Sequence, residues 1–144
     1  MARASLLSDL PPMLHAYSQR HGIEPTALRD DGRMVLEVNE RYRLDLRPVA
    51  DGAVAVTARL LGLASVPPAM QDDLLLRLTT IATGLARDHA AGLVIDEARQ
   101  TLLLQQVLPA TLGVTELEEE LAGFANQLEF WSRVVLRESG RAGA

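Results

Sequence analysis

Apolar positions near the start of the chain predict a helix over residues 5–21. They recur at steps of three and four, the spacing of one face of an α-helix. The apolar residues are Leu6, Leu7, Leu10, Leu14 and Tyr17. Pro11 and Pro12 cannot lie inside a regular helix without the loss of hydrogen bonds. We therefore expect the regular helix to begin near Asp9 or Leu10, and we expect Gly22 to end it.

Alternation with a period of two predicts three strands between residues 33 and 64. The first covers residues 33–38, the second covers 41–47, and the third begins at Val54 and ends near Leu61. Asn39–Glu40 connects the first two strands, and Asp51–Gly52 is a turn signal before the third.

A second predicted helix runs from about Ala69 to His89 and is apolar on more than one face. A helix of this kind is either fully internal or shared with a partner subunit. The resulting candidates for a dimer interface are Leu74, Leu75, Leu76, Leu78 and Ile81.

The last third of the chain predicts a strand hairpin closed by an acidic helix. Strands over 92–95 and 101–107 flank a turn at 96–100. Thr115 is the expected N-cap of the final helix, with Glu118 completing a capping box. We expect the helix to end near Glu138 and residues 139–144 to form a disordered tail. The buried face of the helix is expected to carry Leu117, Leu121, Phe124, Leu128, Trp131 and Val135.

This order of elements, α-β-β-β-α-β-β-α, predicts an α+β fold with a twisted antiparallel sheet. A length of 144 residues suits one domain, spanning residues 1–144. The 48% hydrophobic and 23% charged residues are typical of a globular protein. No stretch approaches the roughly 20 apolar residues of a membrane helix, so no membrane insertion is expected.

The charge of the chain argues against nucleic acid as a partner. The net charge is -5 and there is no Lys, whereas phosphate binding needs clustered basic side chains. The densest basic cluster consists of Arg41, Arg43 and Arg47, on one face of a predicted strand with Asp45 among them. A solvated strand face is the favoured interpretation of this cluster.

No pattern in the chain indicates catalysis. Cys is absent, which excludes disulfides and thiolate chemistry. His15, His21 and His89 do not have the spacing of metal ligands, and no phosphate loop or nucleophile elbow occurs. We therefore expect no catalytic, cofactor or metal site. Trp131, in helical phase with Phe124, is interpreted as a core anchor rather than a binding residue.

Three segments of the chain form a recognisable set: a passage from helix to sheet, a last hairpin and a closing helix. They are Gly22-Ile23 with Asp31-Gly32; Gly92 with Val94-Ile95-Asp96-Glu97 and Leu102-Leu103-Leu104; and Leu117-x-x-x-Leu121-x-x-Phe124 with Trp131. Through these segments, and from about residue 5 to 137, the chain resembles the class I chaperones of bacterial type III secretion, the Tir-chaperone type.

The resemblance implies a homodimer of the bacterial cytoplasm that binds a secreted effector without a cofactor. The extended N-terminal segment of the effector is kept soluble and competent for secretion. Such a segment places apolar side chains in pockets and pairs with a sheet edge. Candidates for this contact are Leu6, Leu7, Leu10, Leu14, Val35, Ala55 and Leu61. The sequence does not separate those that face a partner from those in the core.

The sequence leaves two other functions open. One is a regulatory or general peptide-binding module of the same fold with no secretion role, which a neighbouring effector or secretion gene would discriminate. The other is an enzyme with an unrecognised site. A small molecule bound beside His15 or His89 would favour the enzyme.

Overall fold

The computed structural model describes residues 12–22, 33–38 and 40–142 of the chain. Its helices and strands follow the predicted order and confirm the α+β fold class. The helices are α1 (Pro12–His21), α2 (Pro68–Leu85) and α3 (Val114–Ala142). The strands are β1 (Met34–Val38), β2 (Tyr42–Pro48), β3 (Val54–Gly62), β4 (Gly92–Asp96) and β5 (Thr101–Leu108). The predicted start of the first helix, Asp9 or Leu10, lies outside the described residues.

The five strands form one sheet in the order β1-β2-β3-β5-β4, so β1 and β4 are its edges. The pairs β1–β2, β2–β3 and β4–β5 are antiparallel. Register places Met34 opposite Leu46 and Leu36 opposite Leu44, which gives these residues a common inner face.

The alternating pattern decides which face of the β1–β2 hairpin is buried. Met34, Leu44 and Leu46 have no exposed surface, whereas Arg43 and Arg47, which flank Leu44 and Leu46 on β2, are exposed. Burial of the apolar set fixes the register, because a slip of one residue would turn every arginine inward.

The chain divides into two compact units. One comprises Met1–Thr57 with Val107–Gly123, and the other comprises Ala58–Gln106 with Phe124–Ala144. Strands β3 and β5 and helix α3 continue from one set of residues into the other. The expectation of a single domain stays a prediction.

The predicted capping box at the start of the last helix is wrong. Helix α3 begins at Val114, which places Thr115 inside the helix rather than at its N-cap. Gly113 takes the cap position: its carbonyl accepts the first helical hydrogen bond, from the N–H of Leu117 at 2.9 Å. The Glu116 carboxylate, at the third helical position, accepts from the Gly113 N–H at 3.2 Å.

Two helix ends also differ from the sequence prediction. Helix α2 ends at Leu85, and His89 lies beyond a turn in which its N–H donates to the Leu85 carbonyl at 3.0 Å. Helix α3 continues to Ala142, so the part of the expected tail that is described is helical. The carboxylate of Glu138, only 4% exposed, accepts from Arg77 Nε at 3.0 Å, which ties the last turns of α3 to α2.

The apolar stripe of α3 is buried as predicted, and Trp131 is 2% exposed. We predict that Trp131→Ala lowers the free energy of unfolding by about 3–5 kcal/mol, because it leaves a large cavity in the core. Phe130→Ala is the matched control, since Phe130 is its neighbour on α3 and is 38% exposed. Denaturant unfolding of both variants measures the difference, and equal losses would contradict the role of Trp131 as an anchor.

Candidate peptide-binding groove

A groove of about 280 Å³ opens between α1, β1 and the first turns of α3. Its walls are largely apolar, with polar groups from α1 and α3. The lining residues are Tyr17, His21, Leu36, Val38, Glu118, Leu121 and Ala122. All of them belong to one compact unit of the chain.

The apolar part of the groove arises from the incomplete cover of β1. Met34, Leu36 and Val38 share the inner face of this strand, yet only Met34 is fully buried. Leu36 and Val38 are half-buried, and Leu121 and Ala122 of α3 complete the surface. A concave surface with half-buried aliphatic side chains can take apolar side chains from a partner.

The polar end of the groove is a clamp between α1 and α3. Glu118 Oε1 lies 3.1 Å from Arg20 Nη1 and 2.9 Å from His21 Nε2. Because an ionised carboxylate only accepts hydrogen bonds, His21 Nε2 carries the donated proton. Arg20 Nη1 also donates to Thr115 Oγ1 at 3.3 Å. The His21 ring lies against the Tyr17 ring, with 4.4 Å between centroids.

The clamp changes the electrostatics of the groove. Hydrogen bonds from His21 and then Arg20 hold the pKa of the Glu118 carboxyl below its usual value. Burial raises the pKa of the Tyr17 hydroxyl, and the negative charge of Glu118 raises it further. The groove therefore presents an ionised carboxylate and a neutral phenol at neutral pH.

The backbone of β1 borders this groove and has one neighbouring strand among the described residues. Within the described chain, β1 pairs only with β2. An edge strand presents unpaired N–H and C=O groups, which a further extended segment can satisfy. The groove and the edge together offer a partner both apolar pockets and main-chain hydrogen bonds.

The candidates expected from the sequence for effector contact fall into three groups. Leu14 and Ala55 are 0% and 2% exposed, so their side chains lie in the core and offer no surface to a partner. Val35 and Leu61 are half-buried and keep some accessible area. Leu6, Leu7 and Leu10 lie outside the described residues.

Sequence reasoning missed most residues of the groove. Leu36 and Val38 were recognised as strand residues, and Tyr17 and Leu121 as helix-stripe residues, but none was expected to meet a partner. Their alternation and helical spacing also describe core residues. Only the edge position of β1, which depends on strand pairing, distinguishes Leu36 and Val38 from the core.

Helix α2 carries a second exposed apolar surface, in the other compact unit. Leu74 and Leu78 belong to the core, at 0% and 1% exposure, so they leave the set of expected dimer contacts. Leu76 is 66% exposed, and Leu75 and Ile81 are half-buried. A shallow groove of about 370 Å³ follows this face, lined by Leu76, Arg77, Thr80, Ile81 and Glu138.

Neither groove is lined by His15 or His89, the histidines named for an enzyme. Across residues 12–22, 33–38 and 40–142, no three His, Asp or Glu side chains gather closely enough to hold a metal ion. None of the helices in the described part of the chain combines the length and hydrophobicity needed to cross a bilayer.

Comparison with solved structures defines the class of the fold. A chain of the ExsC–ExsE complex matches with a TM-score of 0.67 and 20% identity, over 89% of this chain and 94% of that chain. A chain of the HopA1–SchA chaperone–effector complex matches with a TM-score of 0.64 and 21% identity, over 90% of this chain and 96% of that chain. A third match is a chain of the heterodimeric ExoU–SpcU complex from the type III secretion system of Pseudomonas aeruginosa. Its TM-score is 0.60 at 17% identity, over 82% of this chain and 93% of that chain. The fold is that of the type III secretion chaperones.

The family follows from the sequence itself. The sequence profile of the Tir chaperone protein (CesT) family matches residues 13–132, which include every residue lining the β1 groove. The chain therefore belongs to the Tir chaperone protein (CesT) family, as the resemblance predicted. No curated protein matches it in sequence.

The lowered pKa of Glu118 gives a prediction for acid stability. Its stabilising contribution is complete above the ordinary carboxyl pKa of about 4.3 and is lost as pH falls through the lower value of the folded state. We expect Glu118→Gln to reduce the melting temperature at pH 7 and to flatten its decline under acid. The control Glu119→Gln, at an exposed neighbour, should keep the wild-type profile. Parallel acid profiles for wild type and Glu118→Gln would contradict the clamp.

Proposed function

We propose that the chain is a type III secretion chaperone that binds the extended N-terminal segment of a cognate effector, its client. It acts in the bacterial cytoplasm, keeps the client soluble and secretion-competent, and does not change it chemically. The observation that carries the proposal is the apolar groove beside the free edge of β1, inside the region matched by the family.

The geometry suits a segment that is disordered when free. An extended chain gains main-chain hydrogen bonds at the edge of β1, while its alternate side chains enter the groove beside Leu36 and Val38. Binding of this kind needs no catalytic group. It orders the client at an entropic cost and buries apolar surface that would otherwise promote aggregation.

The structural relatives support a protein client. The HopA1–SchA structure is a chaperone–effector complex, and the ExsC–ExsE and ExoU–SpcU structures are also complexes of two proteins. These identities are below 25%, so the relatives support the kind of partner rather than its sequence.

We propose further that the chain forms a homodimer through the exposed face of α2. Leu76 on this face is the large hydrophobic side chain most exposed on that helix, and Ile81, five residues later, lines the same shallow groove. Removal of such a patch from water is a common reason for association.

The groove can be tested by filling it. Ala122 is exposed and lines the groove, so Ala122→Phe should obstruct it without a change in the core. Asn126→Phe introduces the same side chain at an exposed position one turn later on α3. The ligand is the N-terminal segment of an effector captured from the native host and identified by mass spectrometry.

Calorimetry should show at least a tenfold weaker affinity for Ala122→Phe, about 1.4 kcal/mol, and wild-type affinity for Asn126→Phe. Wild-type binding should also have a negative heat-capacity change, because apolar surface is buried. Unchanged binding by Ala122→Phe would show that the client docks elsewhere. Capture of clients through a folded C-terminal region would contradict the chaperone proposal itself.

The dimer proposal has a separate test. Sedimentation at micromolar concentration should give about twice the chain mass of 15.6 kDa. Leu76→Asp should shift the equilibrium to monomer, because it places a charge in the apolar contact. Leu136→Asp changes another exposed leucine, on α3, and should leave the dimer intact. A wild-type monomer, or equal effects of the two variants, would contradict dimerisation through α2.

A further inference from the structure

The outward face of the β1–β2 hairpin is rich in positive charge, although the whole chain has a net charge of -5. This face is the opposite of the one that contributes Leu36 and Val38 to the groove. Its charged residues are Arg33, Arg41, Arg43 and Arg47 with Glu37 and Asp45, four arginines and two carboxylates.

Asp45 is not available as a counter-charge for the arginines of β2, because it forms an ion pair with Arg33. Its Oδ2 is 2.9 Å from Arg33 Nη1. Arg43 and Arg47 are exposed, and neither forms an ion pair within the described ranges. Register places Glu37 opposite Arg43, so the less compensated charge is that of Arg47.

Arg33 and Arg47 lie at the same end of the hairpin. Arg33 precedes Met34, and the register partner of Met34, Leu46, precedes Arg47. Asp45 already offsets the charge of Arg33, so Arg47 is the arginine at this end that keeps an exposed positive charge with no ion pair among the described residues. Half-buried Val35 next to this end offers an apolar contact. The face is thus suited to an extended segment with acidic side chains.

A strand added at the free edge of β1 would present side chains to both faces. Successive side chains point to opposite sides of a sheet, so one set enters the groove. The other set lies beside the outward side chains of β1, which are Arg33, Val35 and Glu37, with Arg43 and Arg47 of β2 one strand further away. Resting on the strand addition proposed above, we infer that the client segment alternates apolar inward with acidic outward side chains. Arg47 is then the main specificity-determining residue, and Arg43, whose charge Glu37 partly offsets, adds to the positive field that selects the acidic set.

Nucleic acid is a poorer match for this face. A chain of net charge -5 repels a polyanion, and a few arginines on one strand are far from the basic stripe that phosphate backbones require. An acidic peptide carries few charges and also fills the apolar groove, so both faces of β1 contribute to its binding.

The inference can be tested with three labelled peptides of about eight residues, long enough to cover an average strand. Each has Val at alternate positions, with Ser, Glu or Lys between them. Measured by fluorescence anisotropy at about 50 mM salt, affinity should be highest for the Glu peptide, lower for the Ser peptide and lowest for the Lys peptide. The Glu and Lys peptides should differ at least tenfold in affinity. The difference should shrink at about 500 mM salt, because screening weakens exposed charges.

A matched pair of double variants assigns the preference to these arginines. Arg43→Gln/Arg47→Gln should abolish the advantage of the Glu peptide and leave the Ser peptide bound as before. Arg99→Gln/Arg133→Gln removes the same charge from two other exposed arginines and should keep the wild-type ranking.

The possible results separate this inference from the proposed function. If the Ser peptide binds and the Glu and Lys peptides bind equally, the inference is overturned and strand addition stands. A Glu preference that survives in Arg43→Gln/Arg47→Gln also overturns it, because another surface then reads the charge. If none of the three peptides binds the wild-type chain, strand addition at β1 is contradicted, and the inference fails with it.

Discussion

An unpaired strand edge is costly to leave beside an apolar surface, and β1 combines the two. The outer backbone groups of this five-residue strand have no partner strand in the described chain, while Leu36 and Val38 remain half-buried on its inner face. Edge strands of this kind invite pairing with another chain. The proposed client satisfies both needs, since an extended segment supplies the missing hydrogen bonds and covers the aliphatic side chains.

The helices hold this edge in a form ready for binding. Glu118 receives hydrogen bonds from Arg20 and His21, and so fixes the C-terminal turn of α1 against the start of α3. A groove with fixed walls loses little entropy when it is filled, which leaves the ordering cost to the client. We propose that this site holds a disordered chain, a role that requires no reactive group.

Local patterns predicted most of the elements but little of the site. Alternation located β1 and β2, and helical spacing identified the buried face of α3 through Trp131. Neither pattern distinguishes a residue that packs against a neighbouring helix or strand from one that stays accessible to a partner protein. The sequence therefore predicts Leu14 as a contact, although Leu14 lies in the core, and does not predict Leu36 as a groove residue.

The failures have a common physical origin in long-range contacts. Glu118 was assigned to a helix cap, but its partners Arg20 and His21 are almost a hundred residues away in sequence. The end of α3 was placed at Glu138, whose burial depends on Arg77 of another helix. The sequence predicts Asp45 as the counter-charge of its own strand, but Asp45 pairs with Arg33 of the neighbouring segment.

The central claim is that a client pairs with the edge of β1, and amide hydrogen exchange tests it most directly. Exchange of the backbone amides of Met34–Val38 would be compared between the free chain and its complex with the captured effector segment. We expect exchange of the β1 amides on the unpaired edge of the strand to become at least tenfold slower in the complex, because these amides gain hydrogen-bond partners. Exchange of the amides of β4, the other edge strand, should stay unchanged. Unchanged exchange in β1 while the client is bound would contradict the account.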